Sequence, residues 1–303
     1  MEYAKPALTL EQQADRLLGR GLIASRADLI ERLRVVGYYR LSAYWHPFRR
    51  DDPSQPGALL DEFREGTSLD VVWDRYVFDR QLRLIVLDAM ERIEVALRAM
   101  LALEHATRHG QFGYALDRRA VPHLAWDRVG DLLSRIAIEQ ARSKEAFAKH
   151  FRSRYGDEHA FLPLWMAAEI MTFGTLLTLY TATSSEVRRA VASAFGVHDT
   201  VFESWFKSLN VVRNICAHHG RLWNRELGLS PKIPERLTEW KHPVRVKGDR
   251  VFGILTICKW SLDRVSSPSS WGERVVGLLR QHPRVPLVSM GFPEGWECSP
   301  IWR

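Results

Sequence analysis

YVFDRQLRLIVLDAMERIEVALRAMLA, residues 76–102, decides the fold class. Its apolar residues Leu82, Ile85, Ala89, Ile93, Ala96 and Met100, continued by Leu103, recur by threes and fours. That is the spacing of one buried helix face, and it predicts a long helix from about 69 to 107. On the opposite face Glu91, Glu94, Arg98 and His105 fall within roughly 60° of one another at 100° per residue.

The same periodicity runs through the rest of the chain. Short helices are predicted over 9–19 and 25–36, opening on the cap residues Thr9 and Ser25. Others are predicted at about 124–150, 161–183, 185–195, Asp199 or Thr200 to His219, 252–265 and 271–281. Between them RRDDPSQPGALLDEFREGT, 49–67, is rich in Pro, Gly and charge and reads as a linker or long loop. No run of alternating strands and no strand–helix–strand rhythm is present, so the fold class is all-α. Three regions follow: an N-terminal helical region and linker over 1–66, a helical core over 67–230, and a C-terminal helical extension over 231–303 packed on the core as one unit.

The chain has 303 residues, 46% hydrophobic, enough for one large core or two modest ones. With 43 basic against 36 acidic residues the net charge is +7, which favours polyanionic partners such as nucleic acid or anionic lipid. The three cysteines, Cys216, Cys258 and Cys298, are far apart and form no C-x-x-C pair, which argues for a reducing compartment and against structural zinc. MEYAKPALTLEQQADRLL at the start has no apolar core of a secretory leader. FLPLWMAAEIMTFGTLLTLYTA, 161–182, carries Glu169, Pro163 and Gly174 and reads as a buried helix rather than a bilayer span. A cytoplasmic protein without membrane partners is expected.

RNICAHHGRLWNR, 213–225, concentrates the chemistry. The helix before it buries Phe202, Trp205, Leu209, Val212 and Cys216 on one stripe, and Gly220 stands where a left-handed C-terminal cap is expected. Asn214 and His218 are four apart and share a face, whereas Arg213 lies about 140° around from His218. Arg213 therefore needs its own length, a loosened helix end or a second protomer to reach the same ligand. An imidazole can take a proton from a ribose 2′-hydroxyl or return one to the leaving 5′-oxygen at cellular pH. A guanidinium can stabilise charge on the pentacoordinate phosphorus, and the Asn can hold the histidine or a phosphate oxygen. The set suits RNA transesterification without metal or other cofactor. It suits equally a histidine pair capping a helix dipole. Arg221 and Arg225 read as phosphate or backbone contacts or as plain solvated surface, and Trp223 as core or as a base-stacking platform.

RNICAHHGRLWNR resembles the corresponding stretch of the AbiD/AbiF-type abortive-infection proteins, whose all-helical domain belongs to the HEPN superfamily with its R-x4-6-H motif. LRVVGYYRLSAYWHPF (33–48), the 76–102 helix, LPLWMAAEIMTFGTL (162–176) and MGFPEGW (290–296) are similar to that family in the same order. The resemblance implies a HEPN-like helical bundle with N- and C-terminal helical extensions. It implies a metal-independent endoribonuclease acting in phage defence or as the toxin of a toxin–antitoxin pair, working as a homodimer with two motifs facing across a cleft. It places Arg213 and His218 as the catalytic pair and Asn214 as the polar residue after the arginine. His219 makes an equally legal R-x5-H; His218 is preferred because R-N-x-x-x-H is the closer match, His219 lying nearer the apolar stripe.

Arg98 and His105 also form R-x6-H, but Ala99 replaces the polar residue after the arginine and Glu94–Arg98 is an i,i+4 pair of the kind that decorates solvated helices. Glu91, Glu94 and Arg98 are expected to line the cleft or the dimer seam. Glu169 reads as a buried carboxylate that pairs with an arginine, of the site or of the scaffold. YYR (38–40) and FRR (48–50) mix aromatics with arginines and read either as grips for single-stranded RNA or as core aromatics beside surface charge. The alternatives to a nuclease are a non-catalytic module holding a small regulatory RNA and an infection-sensing interaction protein. Neither G-x-S-x-G nor a P-loop is present.

Overall fold

A computed structural model describes residues 6–303, and among them thirteen α-helices carry the fold. They are α1 (Leu10–Gly19), α2 (Arg26–Val36), α3 (Tyr38–Trp45), α4 (Leu69–His109), α5 (Gly113–Leu116), α6 (Trp126–Arg142), α7 (Ala146–Tyr155), α8 (Leu164–Ile170), α9 (Phe173–Ala182), α10 (Ser185–Ala194), α11 (Asp199–Ala217), α12 (Val251–Val265) and α13 (Trp271–Gln281). The fold is all-α. Residues 1–5, the start of the stretch read as lacking the apolar core of a leader, lie outside the described residues. The expected 49–67 linker contains a small antiparallel hairpin, β1 (Arg49–Asp51) with β2 (Leu59–Phe63). Arg49 holds it shut by donating to the Leu59 and Leu60 carbonyls, while Phe63 is buried edge-on to Trp45.

The chain forms two compact units. The first holds the chain up to Arg83 together with Val276–Pro286. Its α1 opens on a capping box: Thr9 Oγ1 accepts from the Gln12 N–H and the Gln12 side chain accepts from the Thr9 N–H. Ser25 caps α2 by one bond, its Oγ accepting from the Asp28 N–H. Beneath them α3, which periodicity did not single out in so short a stretch, buries Leu41, Tyr44 and Trp45. The Tyr38 side chain is half-buried and Tyr39 is 92% exposed, so YYR is neither wholly core nor wholly surface.

The second unit holds Leu84–Val275 and Leu287–Arg303. Within it α4 buries Val86, Ala89, Met90, Ile93, Leu97 and Leu101, whereas Leu103, placed on the core stripe by its spacing, is 62% exposed. The expected stripe averages 3.5 residues per step, and a real helix drifts from it by about 20° per heptad, so its C-terminal members leave the core. The same drift carries Arg98 and His105, expected on the outer face, into the interior at 9% and 0% exposure.

Two expected helices are each broken in two. The 124–150 segment stops at Arg142, and Arg152 of α7 satisfies the freed α6 end by donating to the carbonyls of Gln140, Ala141 and Ser143. The 161–183 segment breaks at Met171 and Thr172, where Thr172 Oγ1 caps α9 through the Thr175 N–H. No helix among the described residues is long and apolar enough to cross a membrane. The core gathers on α11, whose Phe202, Trp205, Phe206, Leu209, Val212 and Cys216 are buried along the expected stripe. Tyr180 and Phe173 of α9 meet Phe206 edge-on, and Trp205 continues into Trp240 and Trp260.

Candidate functional site

The helical backbone of α11 stops at Ala217, and the next three residues close it with a Schellman turn. His219 N–H donates to the Cys216 carbonyl at 3.0 Å and Gly220 N–H to the Ile215 carbonyl at 2.8 Å. The left-handed residue is His219, with φ 58°, and not Gly220 as its glycine identity suggested. Gly220 is needed for a different reason: a Cβ there would meet Ile215 Cγ2 and the Ile215 carbonyl oxygen at 3.2 Å.

This ending sets the exposure of the motif. Asn214, His218 and His219 are exposed and Arg213 is half-exposed. Arg213 Nη1 donates to Asn214 Oδ1 at 3.4 Å, so the guanidinium leans along the helix toward the shared Asn214–His218 face. The 140° separation on a straight helix is thereby partly closed by side-chain length. His219 is exposed rather than buried with the apolar stripe, contrary to the expectation from that stripe. That stripe is a property of helical backbone, and the left-handed turn at 219 takes the residue off it.

The segment after the turn is anchored rather than loose. Leu222 and Trp223 are fully buried, so Trp223 serves the core and not base stacking. Arg225 Nε donates to the Arg221 carbonyl at 2.9 Å, and Asn224 takes a second left-handed position, φ 51°. Arg221 and Arg225 remain half-exposed on this tight turn. The chain then returns along α11, pinned by Ser208 Oγ to the Leu229 carbonyl (2.9 Å), Trp205 Nε1 to the Lys232 carbonyl (2.7 Å) and the Lys232 N–H to Ser204 Oγ (2.9 Å). Sequence reasoning did not assign Ser204 and Ser208 this positioning role. Their i,i+4 placement on the flank of the apolar stripe was the available signal.

Of the supporting residues expected on α4 and α8, Arg98 and Glu94 are engaged within the fold. Arg98 donates to the carbonyls of Ala168 and Met171 (2.8 Å for the latter) and ion-pairs with Glu94. It is the C-terminal cap of α8. His105, seven residues further along, is fully buried beside His109. Burial pushes its imidazole down to about 4, the neighbouring His109 adds to the shift, and the Ala120 carbonyl opposes it. Arg98 and His105 are thus both buried, and the R-x6-H spacing on α4 does not make a second exposed pair. Glu91 is exposed and Glu94 half-buried. Glu169, expected to be buried and paired, is exposed at the end of α8, where helix geometry turns it outward beside Trp165 over a groove of about 410 Å³ that Arg98 also lines.

Among the described residues no group of three or more His, Cys, Asp or Glu side chains is placed to hold a metal ion. Cys216 sits between the motif residues but is buried, and burial pushes the neighbouring Cys258 thiol far up, so neither is poised as a nucleophile. A groove of about 570 Å³ lined by Val197, His198, Thr200, Ile233 and Pro234 lies at the opposite end of α11. Nineteen helical residues, about 28 Å at 1.5 Å each, separate it from the motif. The motif end carries the partly exposed Arg213, Arg221 and Arg225 beside the exposed His218 and His219.

These features define an all-α protein with a basic helix-end site carrying arginine, asparagine and two histidines. The family model described as Abi-like protein matches residues 31–224. Covering more than half of the chain, the match shows that the protein belongs to the Abi-like family, a membership that suggests abortive infection and phage defence. No curated protein and no solved structure matched the chain.

Proposed function

We propose that the protein is an endoribonuclease of the abortive-infection type, cutting RNA at the C-terminal end of α11. One observation supports this above others: an exposed imidazole, His218, stands one helical turn from Asn214, which is itself in contact with the Arg213 guanidinium. A base, a polar orienter and a cation thus share one solvent-facing helix end in a chain of net charge +7.

In the reaction the ribose 2′-hydroxyl loses its proton to an imidazole and its oxygen attacks the adjacent phosphorus. The bond to the 5′-oxygen breaks, and that oxygen takes a proton, leaving a 2′,3′-cyclic phosphate and a 5′-hydroxyl. Arg213 stabilises the equatorial charge of the phosphorane, and Asn214 orients the histidine or a phosphate oxygen. Arg221 and Arg225 hold flanking phosphates. One imidazole cannot both accept the first proton and donate the second in a single concerted step. The HEPN resemblance implies two copies of the chain, each bringing one motif, and such a homodimer would put base and acid on separate imidazoles. The HEPN resemblance implies that the reaction needs no metal, and its setting is the cytoplasm.

The second reading keeps the same surface as a holder of a small regulatory RNA, favoured by the half-exposed Arg221 and Arg225 on a rigid turn. Purified protein incubated with RNA in EDTA separates the two. The nuclease yields cyclic-phosphate ends, a 2′-deoxy residue at the cut site abolishes cutting, and His218→Ala is silent while His219→Ala still cuts. Continued cutting of the deoxy substrate would sink the chemistry; silence of His219→Ala alone would move the catalytic role to His219. RNA bound but never cut favours the holder.

A further inference from the structure

The net charge of the chain is concentrated far from the motif in sequence. RSKEAFAKHFRSR, 142–154, carries five cations against one carboxylate, a net +4 with His neutral, out of +7 for the whole chain. Structure decides where these charges go. Arg152 spends its guanidinium on the α6 end, but Arg142, Lys144, Lys149, His150 and Arg154 are exposed and make no ion pair among the described residues. Elsewhere Arg49, Arg83, Arg92, Arg98, Arg108, Arg188 and Lys207 each face a carboxylate within 4 Å, whereas this segment gathers its solvated cations within thirteen residues.

The arrangement on α7 is regular. Ala148 and Phe151 are buried on its inner face, whereas Ala146, Lys149, His150, Ser153 and Arg154 stand outward at i, i+3, i+4, i+7 and i+8. The outward face has no exposed aliphatic side chain larger than alanine. At its C-terminal end Tyr155 is 43% exposed, with the Arg154 guanidinium 5.8 Å from its ring centroid. Lys149 and Arg154, both solvated on this face with His150 beside them and closed by an arginine–tyrosine pair, fit a flexible polyanion whose bases can stack. A membrane surface would call for exposed apolar side chains beside the charges, and α7 offers none but the tyrosine. On the other flank Arg142 and Lys144 border a groove of about 610 Å³ shared with Glu139, Glu145 and Glu169. Those carboxylates disfavour phosphate within the groove, so the exposed Arg142 and Lys144 serve at its rim and the outward face of α7 is the favourable track.

We infer that the outward face of α7, with Arg142 and Lys144 ahead of it, is a docking surface for single-stranded RNA, distinct from the Arg213–His218 end. It takes the identity of the polyanion from the nuclease reading above. The surface holds the backbone without reading sequence, and Tyr155 stacks on an unpaired base.

The test uses the full chain and a fluorescent, uncleavable 2′-O-methyl oligonucleotide, so binding is read whether or not the protein cuts. Charge reversal in Lys149→Glu/Arg154→Glu should weaken binding at least tenfold near 0.1 M salt. It should also flatten the dependence of log Kd on log salt by about 1 to 2, since each single-strand phosphate contact contributes roughly 0.7. Arg142→Glu/Lys144→Glu should act in the same direction, and Tyr155→Ala should weaken binding without changing the slope. Arg119→Glu, at a side chain 90% exposed elsewhere in the same unit, is a charge reversal outside this surface, of two charge units against four in each double variant, and should change little. Unchanged affinity and slope in both double variants, with circular dichroism intact, overturns the proposal. So does an equal loss in Arg119→Glu, which makes the effect one of bulk charge, and so does a loss confined to vesicles of anionic lipid. If wild type binds no RNA at all, the nuclease reading falls with it; if binding responds only to Arg213→Ala, this surface alone is wrong.

Discussion

Two arginine–histidine pairs stand on two helices of the second unit, and the fold gives them opposite fates. Arg98 and His105 lie inside α4, which runs on to His109, so both remain on helical backbone and are drawn into the core. Arg213 and His218 lie at the end of α11, which stops at Ala217, so the histidine stands past the last helical residue and faces solvent. A spacing motif therefore says little until it is known whether the helix continues through it. Burial commits an arginine to satisfying backbone carbonyls and a histidine to its neutral form, whereas a helix end leaves both free to meet a ligand.

The sharpest way to break this contrast is at His218. If it is the catalytic imidazole, His218→Ala lowers cleavage by about 10²–10⁴-fold, the range of general acid–base catalysis. Because the side chain is exposed, stability should shift by no more than about 0.5 kcal/mol. Thermal melts beside a cleavage assay check both halves, and a large fall in melting temperature would return His218 to the scaffold.

Arg98→Ala should do the reverse. It strands the Ala168 and Met171 carbonyls and the half-buried Glu94, and breaking a buried pair of this kind costs about 3–5 kcal/mol. Denaturant unfolding reads that loss directly. A variant of wild-type stability that no longer cuts would restore Arg98 as a site residue.

The smallest effect belongs to His105 and appears only on acidification. Its folded-state imidazole titrates at about 4, below the ordinary value near 6.5. Between those two values the unfolded chain binds a proton that the folded chain refuses, so stability falls as pH is lowered through that window, by roughly 3 kcal/mol in full. His105→Leu removes the group and should flatten the change in melting temperature between pH 7 and 4.5. An equally steep profile in that variant would place the acid sensitivity elsewhere.

Much of the fold was legible in residues alone. Thr9 and Ser25 announce their helices because a side-chain oxygen can satisfy an end N–H whatever lies around it, and the α11 stripe announces its buried face over many turns. The breaks at Ser143–Glu145 and Met171–Thr172 were not legible. Each leaves backbone groups that only a distant partner satisfies, Arg152 for one and Arg98 for the other, and local pattern carries no record of such partners. The hairpin inside 49–67 was hidden for the same reason, being closed by Arg49 reaching across to the Leu59 and Leu60 carbonyls.

For the candidate site, sequence by itself determined the residue types, the family and the shared face of Asn214 and His218, because a four-residue step on a helix is fixed by backbone geometry. Tertiary structure alone decided that His219 takes the left-handed position, that Trp223 is core, that Glu169 faces solvent and that Arg98 closes α8. Each of those outcomes turns on which group lies nearby in space, and burial is a property of the packed chain rather than of any stretch of it.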